Sequence, residues 1–296
     1  MVSPLILSLR KQKNFYGSKV KILSPAKINL YLNITGKYAN GYHRIESIVE
    51  RVSLCDTIDI EVTKSLKIAV SSNLKSLVTN DNLCVSVAKL INKKCNLAYG
   101  YDIFLDKKIP VGAGLGGGSS NAASMLIALN ELLNLKLSLE ELYKLGSKLG
   151  SDVNFFLAQR RFAVISGRGQ YVKPFDAKTY NHFIVWPNLT LSTKKVYEKS
   201  RVKLTKFLCN VKMLKYALKK GDLTLIKKNI FNALDKSACN VCGKVRKLKN
   251  HLNDKNIFAR VTGSGSAMYT IFDNDSLQTI DRGLNKSCSI FEVNTF

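Results

Sequence analysis

The stretch Ile109-Pro110-Val111-Gly112-Ala113-Gly114-Leu115-Gly116-Gly117-Gly118-Ser119-Ser120-Asn121 decides how this chain is organised. Five of the seven residues from 112 to 118 are glycine. Because each glycine loses much backbone entropy when it is fixed, so dense a run is typical of neither an ordinary helix nor a strand. Apolar residues then recur at helical spacing, at Ala122, Leu126, Leu129 and Leu133. The sequence therefore predicts a glycine-rich loop followed at once by a buried amphipathic helix.

A loop of this kind is suited to binding an anion. Glycines let backbone N–H groups approach phosphate oxygens closely, and the partial positive charge at a helix N-terminus adds to the attraction. Ser119 and Ser120 could cap the helix, or bind phosphate oxygens and a metal ion. The alternative is a flexible glycine linker, which is disfavoured because linkers are not normally followed directly by a regular helix.

Two familiar phosphate-binding loops do not match this stretch. A P-loop requires a lysine after its last glycine, and this chain has Ser119 there. The dinucleotide fingerprint is matched only through the abundance of glycine. The order of Pro110, a short spacer, Gly-Leu, small residues and Ser-Ser instead resembles the nucleotide loop of the GHMP small-molecule kinases.

Length and composition bound the possible functions. The 296 residues are enough for one large or two medium domains, and no apolar run approaches the length of a bilayer span. The net charge of +25 could serve a nucleic-acid surface or attract polyphosphate substrates. Because the basic residues are scattered without a basic–aromatic cluster, we predict no nucleic-acid binding and no membrane binding.

Cysteine usage and the first residues bear on the compartment. Seven cysteines, an odd number in a chain of this length, predict reduced thiols in a cytosol-like compartment. Cys239 and Cys242 form a lone C-x-x-C, so a metal or redox role, with His182 or His251 contributing, is the alternative to structural thiols. Residues 1–18 contain no acidic residue, so an organellar transit peptide is the alternative to an extension of a cytoplasmic protein.

Two polar residues begin a predicted strand upstream of the loop. Apolar and polar residues alternate from residue 27 to residue 34, which predicts a half-buried strand with Lys27 and Asn29 on one face. Such a pair could bind an anionic oxygen. The alternative is that both side chains lie on a solvated strand face.

A turn with two ring-bearing residues follows this strand. Asn40-Gly41 is a strong turn signal, and Tyr42 and His43 come directly after it. An aromatic ring and an imidazole at a loop tip can stack on a base and hydrogen-bond to it. The alternative is a hairpin in which the tyrosine is packed.

A carboxylate stands at a predicted helix start downstream of the loop. Ser138 and Glu141 form a capping box that opens a second helix, and Gly150 ends that helix. Ser151 is then the predicted N-cap and Asp152 the first helical residue. The helix dipole would keep this carboxylate ionised and able to accept a proton, whereas the alternative role is capping alone.

The remaining pattern mixes strands and helices. Helices are predicted near 82–94 and through the lysine-rich segment 193–252. Strands are predicted near 20–23, 28–34, 44–54, 57–63, 66–71, 102–107, 162–166, 171–173, 182–186, 257–262 and 267–272. The last two flank Gly263-Ser264-Gly265-Ser266, either a hairpin turn or a further source of N–H donors for phosphate.

Five motifs in order carry a resemblance to one family. They lie at residues 25–30, 41–43, 114–121, 149–153 and 262–265. Together they resemble the 4-diphosphocytidyl-2-C-methyl-D-erythritol kinases, GHMP-type kinases of the non-mevalonate isoprenoid pathway, from about residue 19 onward. The resemblance implies an α+β, two-domain GHMP kinase fold with the active site in the cleft between the domains. Residues 1–165 would form a ribosomal-protein-S5-like ATP-binding domain, and residues 166–296 a ferredoxin-like substrate-binding domain whose last residues could return to the first domain.

The resemblance also implies an activity and its residues. The family phosphorylates the 2-hydroxyl of a CDP-linked methylerythritol with ATP and Mg²⁺. Asp152 matches the catalytic base, Lys27 its active-site partner, and residues 110–120 the ATP phosphate loop. Asn29, Tyr42, His43 and Tyr197 match substrate-binding positions. The Mg²⁺ ligands stay open, and we expect a monomer or weak homodimer with no macromolecular partner.

The sequence differs from the family pattern at two positions, and two alternative functions stay open. Asn154 stands where family members often have proline, and Asn40 where they often have aspartate; neither change removes a group that the chemistry requires. The nearest rival is another GHMP kinase acting on mevalonate or homoserine. The rival from another class is a basic nucleic-acid-binding protein.

Overall fold

The computed structural model describes residues 3–200, 211–272 and 287–296, which form two compact units. Unit 1 comprises Met1–Ala26, Cys55–Ile109 and Gly116–Gln159. Unit 2 comprises Lys27–Leu54, Pro110–Leu115 and Arg160–Phe296. Each unit is therefore built from three separate stretches of chain. The predicted boundary between residues 165 and 166 stays a prediction.

Strands and helices contribute in similar measure, which confirms the predicted α+β class. The described strands are β1 (Ile6–Arg10), β2 (Lys19–Lys37), β3 (His43–Thr63), β4 (Ile68–Ser72), β5 (Gly100–Asp106), β6 (Phe162–Gly167), β7 (Tyr171–Phe175), β8 (Asn181–Trp186), β9 (Phe231–Asn232), β10 (Arg260–Val261), β11 (Met268–Ile271) and β12 (Ser289–Asn294). The described α-helices are α1 (Leu83–Cys95), α2 (Gly117–Leu132), α3 (Leu139–Leu149), α4 (Val153–Leu157), α5 (Thr193–Lys199), α6 (Val211–Lys220), α7 (Leu223–Asn229), α8 (Asp235–Val241) and α9 (Gly243–Asp254).

Unit 1 combines sheet strands with the first four helices. Its strands, which include residues 19–26 of β2 and 55–63 of β3, follow the order β1-β2-β3-β5-β4, in which β5 is antiparallel to β3 and parallel to β4. Helix α2 packs against α1, α3 and α4. Twelve of its sixteen residues are buried, so the helix is central and not amphipathic as its spacing predicted.

Unit 2 contains an antiparallel sheet with the strand order β10-β11-β8-β12. Helices α8 and α9 pack on each other, and their apolar side chains share one core with those of β8 and β11. In the same unit β6 pairs with both β3 and β7, and β9 runs parallel to β2. Residues 193–252 form five helices in their described part, and residues 201–210 lie outside it.

Several strand predictions need correction. Strand β2 runs unbroken through Pro25, where two strands were predicted. Strand β3 is also one long strand. It pairs with β6 up to Glu50 and with β5 from Thr57, so the predicted break between two strands is in fact the place where one strand changes its pairing partner. Strand β10 is limited to Arg260–Val261, and β12 was not predicted.

Local helix signals were read correctly more often. The Ser138–Glu141 capping box is present, and Gly150 is the C-cap of α3, its N–H donating to Gly146 O over 3.1 Å. Helix α2, however, begins at Gly117 with Gly116 as its N-cap, five residues before Ala122. Gly117 and Gly118, two of the five glycines that argued against a helix, thus lie in its first turn.

The thiols and the helices bear on compartment and membrane. The cysteines of the described ranges are free thiols, Cys239 being buried in α8 and Cys242 standing between α8 and α9; Cys209 lies outside those ranges. Across residues 3–200, 211–272 and 287–296, no helix is both long enough and apolar enough to cross a bilayer.

Candidate active site

The carbonyl groups of the glycine-rich loop are hydrogen-bonded to other residues of unit 2. The carbonyl oxygens of residues 112–115 accept hydrogen bonds from Leu191 N (3.2 Å), Ala267 N (3.1 Å), Thr262 Oγ1 (3.4 Å) and Lys27 N (3.0 Å). By contrast, the N–H groups of residues 111–116 donate to no group within the described parts of the chain. The loop is therefore fixed through its acceptors and retains a row of backbone donors, which is the arrangement an anion-binding loop requires.

Gly114 is the position in this loop where only glycine fits. Its φ is +82°, and a Cβ atom there would lie 2.2 Å from Thr262 O and 3.0 Å from Gly265 N. Both neighbours are backbone atoms, which cannot move aside cheaply. The close approach ties the loop to the turn at residues 263–266.

The helix that leaves the loop has an uncapped N-terminus. Gly116, the N-cap of α2, has φ +72° and provides no side-chain acceptor for the first-turn amides. The predicted capping by Ser119 or Ser120 is therefore wrong, since both lie inside the helix. Ser119 is half-buried, whereas Ser120 is fully buried and its hydroxyl accepts a 2.9 Å hydrogen bond from Ser24.

Lys27 and Asn29 lie inside unit 2 and not on a solvated strand face. Their exposed fractions are 4% and 5%. Lys27 Nζ donates to Asn29 Oδ1 at 2.5 Å, Asn29 Nδ2 donates to Ser47 Oγ at 2.9 Å, and Asn29 N donates to Thr262 Oγ1 at 3.0 Å. Because burying a charge is costly unless it is paired or hydrogen-bonded, the bond to Asn29 helps to offset the cost of burying this ammonium.

The turn at residues 263–266 lies beside both the loop and Lys27. A Cβ atom added at Gly263 would lie 3.0 Å from Gly114 O and 3.2 Å from Lys27 Nζ. Asn232 supports the turn, because its Nδ2 donates to Val261 O (2.6 Å) and Gly263 O (2.8 Å). Sequence reasoning missed Asn232, which stands in a lysine-rich segment predicted to be wholly helical.

Asp152 lies in unit 1 at the N-cap position of α4, partly exposed. Its φ and ψ are −93° and −6°, and its side chain makes no capping hydrogen bond. The prediction of Ser151 as N-cap is therefore wrong by one residue, and capping alone does not explain this carboxylate. Asn154, which replaces the proline common in similar sequences, is buried and donates from Nδ2 to Ser147 Oγ of α3 over 3.0 Å.

The tip of the turn before β3 presents an exposed aromatic ring. Gly41 has φ +86°, and Tyr42, which follows it, is 52% exposed, so the alternative of a packed tyrosine is wrong. The guanidinium carbon of Arg168 lies 4.0 Å from the centre of that ring. The β3–β6 register, with Ile45 opposite Gly167, brings the two residues together.

His43 and Tyr197 form a second pair of rings in unit 2. Their ring centres are 4.9 Å apart and their planes are inclined at 33°. Partial burial, and then the charge of Lys37, lower the pKa of His43 below the ordinary 6.5. At neutral pH its ring is therefore uncharged, with one nitrogen able to donate and the other able to accept.

Arg168 is a candidate site residue that sequence reasoning missed. The segment Gly167-Arg168-Gly169 was interpreted only as a turn between two strands. Its position beside Tyr42 depends on strand pairing between residues more than a hundred positions apart, so no local signal could have found it.

Comparison with known proteins shows which proteins this chain resembles. The description "GHMP kinases N terminal domain" matches residues 82–160, and "GHMP kinases C terminal" matches residues 214–290. A 4-diphosphocytidyl-2-C-methyl-D-erythritol kinase of Marinomonas sp. (strain MWYL1) is 35% identical over 259 residues, 87% of this chain and 80% of that protein.

Two further relatives agree with this match. The protein of the same name from Pasteurella multocida (strain Pm70) is 34% identical, with 89% of each chain covered. A crystal structure of a 4-(cytidine 5'-diphospho)-2C-methyl-D-erythritol kinase superposes with a TM-score of 0.77 at 27% identity, covering 93% of this chain and 98% of that one.

Proposed function

Because this chain belongs to the 4-diphosphocytidyl-2-C-methyl-D-erythritol kinase family of GHMP kinases, we propose that it phosphorylates the 2-hydroxyl of 4-diphosphocytidyl-2-C-methyl-D-erythritol with ATP. The products are the 2-phosphate and ADP, and the hydroxyl proton leaves to a base. The observation that carries the proposal is the loop at residues 110–116, whose carbonyls are bonded inward while its N–H groups are left for a ligand.

The nucleotide phosphates bind at this loop and at the start of α2. The backbone N–H groups of residues 111–116 donate to phosphate oxygens, and the uncapped first turn of α2 adds further donors and a favourable dipole. The half-exposed hydroxyl of Ser119 is a further phosphate or metal ligand, whereas the buried hydroxyl of Ser120 bonds to Ser24.

Asp152 is the proposed base and Lys27 the proposed charge-stabilising residue. Phosphoryl transfer depends mainly on positioning and on neutralising charge, so few groups need to react covalently. Asp152, partly exposed and making no capping bond, accepts the proton of the substrate hydroxyl. Lys27 is held by Asn29 and stabilises negative charge that develops during transfer.

The aromatic residues of unit 2 bind the cytosine. Tyr42 offers an exposed face for stacking, and the His43–Tyr197 pair offers a ring nitrogen and a second face. Arg168 covers the other face of Tyr42, where a guanidinium both orients the ring and places positive charge beside the substrate's diphosphate.

The proposal also includes a bound Mg²⁺ ion, a cellular compartment and an oligomeric state. The described residues contain no group of three or more His, Cys, Asp or Glu side chains placed to hold a metal. Mg²⁺ in phosphoryl-transfer sites is usually held by phosphate oxygens, water and one or two protein oxygens, so we place it with the nucleotide. A cytoplasmic monomer or weak homodimer completes the proposal.

Product analysis tests the function directly. The full-length protein is incubated with γ-labelled ATP, Mg²⁺ and, in parallel, the CDP-linked methylerythritol, mevalonate or homoserine. We expect label transfer to the CDP-linked alcohol and little to the others. Transfer chiefly to mevalonate or homoserine would favour a different GHMP kinase, and salt-sensitive binding to nucleic acid without ATP consumption would favour the non-enzymatic rival.

An Asp152→Asn variant serves as the matched control for the base. It keeps the size and shape of the side chain but replaces the carboxylate with a neutral amide, which cannot accept the proton. We expect turnover to fall by roughly a hundredfold or more, with the affinity for ATP nearly unchanged. Near-normal turnover would contradict the assignment of Asp152 while leaving the reaction itself intact.

A further inference from the structure

A fully buried carboxylate connects the two ends of the glycine-rich loop. Asp56 lies in β3 with an exposed fraction of 0%. Its Oδ1 accepts the backbone N–H groups of Lys108 and Ile109, each over 2.8 Å. These residues immediately precede the loop, so the carboxylate fixes the backbone at the point where the chain enters it.

The other carboxylate oxygen bonds to the helix that leaves the loop. Asp56 Oδ2 accepts Asn121 Nδ2 of α2 over 2.9 Å, and it forms an ion pair with Lys107 Nζ. With two donors on each oxygen, the hydrogen-bonding capacity of the carboxylate is filled. One side chain therefore holds the entry to the loop and the first turns of the helix after it.

Lys107 is held as firmly as its partner. Its side chain is 4% exposed, and Nζ also donates to Asn121 Oδ1 over 3.2 Å. Asn73 clamps its backbone, accepting from Lys107 N at 2.9 Å and donating to Lys107 O at 3.0 Å. The ammonium thus lies in a fixed place beneath the start of α2.

The spacing between this ammonium and the helix explains one loop glycine. A Cβ atom at Gly117 would lie 3.0 Å from Lys107 Nζ and 3.0 Å from Ile109 Cγ2. Gly117 lies in the helix and has no unusual φ, so glycine is required here because the absence of a Cβ atom lets the helix approach the ion pair. A hydroxyl chain from Asn121 Nδ2 through Ser24 Oγ to Ser120 Oγ, with steps of 2.8 and 2.9 Å, extends the same network.

A gain in folding stability does not by itself explain why this ion pair is buried. A buried ion pair costs so much desolvation that an apolar replacement of similar volume is often equally stable. What an apolar replacement cannot supply is simultaneous bonding to two backbone amides and a helix side chain. We infer that Asp56 and Lys107 are positioning residues, which set the geometry of the loop and of the first turn of α2 for binding the nucleotide's phosphates.

This inference rests on the proposed function, because it requires a nucleotide at the loop. Donors in a phosphate site must be held to within a fraction of an ångström, and misplacement by about 1 Å can cost as much as a hundredfold in rate. Loosening the anchor should therefore weaken ATP binding specifically. A purely structural role would instead reduce the folded fraction, which lowers the apparent Vmax and leaves KM unchanged.

The test compares Asp56→Asn, Lys107→Met and the double variant with the wild type. The single variants leave one buried group unpaired and can fail to fold, whereas the double variant removes both charges and is the decisive protein. Ile60→Val, a conservative core change in the same strand, is the matched control for lost stability. KM for ATP, KM for the acceptor alcohol and the unfolding midpoint are measured for each folded protein.

Equilibrium binding of a fluorescent ATP analogue gives a readout that needs no turnover. For the double variant we expect KM for ATP and the analogue's Kd to rise about tenfold, with KM for the acceptor nearly unchanged. The control should lose stability with both KM values unchanged. The inference is overturned if the double variant keeps its nucleotide affinity, or if both KM values rise together. Failure of the proposed reaction would appear separately, as a wild type that binds the analogue but forms no product.

Discussion

The ring of Tyr42 and the guanidinium of Arg168 form a partly exposed cation–π pair in unit 2. Tyr42 is 52% exposed as a whole residue, while the guanidinium carbon of Arg168 lies 4.0 Å from the centre of its ring. A tyrosine held from one side by a cation is preorganised to stack on a flat base with the other side. The pair therefore offers a way to separate stacking from simple charge attraction.

Replacing Tyr42 by alanine should weaken binding of the CDP-linked alcohol by about 1–3 kcal/mol, because the stacking surface is lost. Arg168→Gln should cost about 0.5–1 kcal/mol in the wild type and almost nothing in the Tyr42→Ala background, since the arginine acts largely through the ring. The Kd values are measured by calorimetry, with Tyr216→Ala on α6 as an equally exposed control. An unchanged Kd for Tyr42→Ala would exclude stacking on this ring.

Substitution of Gly114 tests whether the glycine-rich loop holds the nucleotide. Alanine there must occupy φ +82° with its Cβ directed at Thr262 O, so we expect backbone strain of about 1–3 kcal/mol and displacement of the loop. KM for ATP should rise about tenfold or more. Gly243→Ala, at a helix start with no atom within 4 Å of the added Cβ, is the control. Equal KM values for ATP in the two variants would mean that the loop does not hold the nucleotide.

At the scale of elements, signals confined to a few residues were predictable. The capping box of α3 and its C-cap Gly150 follow from hydrogen bonds between near neighbours, and both are present. The long β2 and β3 strands were not predictable in full, because their continuity depends on partners far along the chain. The burial of Lys27 and Asn29 was also not predictable, because Asn29 hydrogen-bonds to Ser47 and Thr262, which lie far from it in sequence.

The candidate site shows the same division. The loop itself was predictable because a high density of glycine has a direct meaning for the backbone, whereas Asp152 was chosen as a candidate from its place after α3, and its role stays a prediction. The N-cap was predicted one residue too early, since Ser151 and Asp152 are both residue types that favour the N-cap position. Arg168, Asn232 and Asp56 were missed because their partners lie on other elements.

Helix α2 carries a prediction of its own, because it is buried on nearly all sides. Leu126→Ala should lower the free energy of unfolding by about 2–5 kcal/mol, since the side chain is fully buried and its cavity cannot collapse easily. Leu139→Ala on α3, where 48% of the residue is exposed, should change it by about 0.5 kcal/mol or less. Urea unfolding measures both. Equal losses would mean that α2 is amphipathic after all.

At the scale of the whole molecule, the last residues close a buried polar cluster in unit 2. Thr295 Oγ1 donates to Glu50 Oε1 and accepts Tyr180 N over 2.7 Å, while His182 Nε2 lies 3.1 Å from the same carboxylate oxygen. Glu50 and His182 are both fully buried. The hydroxyl thus joins β3, the residue just before β8 and the segment after β12.

Thr295→Val keeps the shape of the side chain but removes that hydroxyl. We expect the free energy of unfolding to fall by about 1–3 kcal/mol, because a buried carboxylate loses a donor and Tyr180 N loses its acceptor. Thr295→Ser keeps the hydroxyl and should recover most of the loss. Chemical denaturation of the two variants decides the point: if serine is no better than valine, the methyl group and not the hydroxyl matters.

The interleaving of the two units has a consequence for biosynthesis. Strand β12 occupies one edge of the unit 2 sheet, while the same unit begins at Lys27 within β2. A nascent chain emerging from the ribosome therefore cannot complete unit 2 until translation has passed residue 294, although all of unit 1 has been made by residue 159. A chain truncated between those points therefore lacks all or part of β12, and no single cleavage of the chain separates the two units.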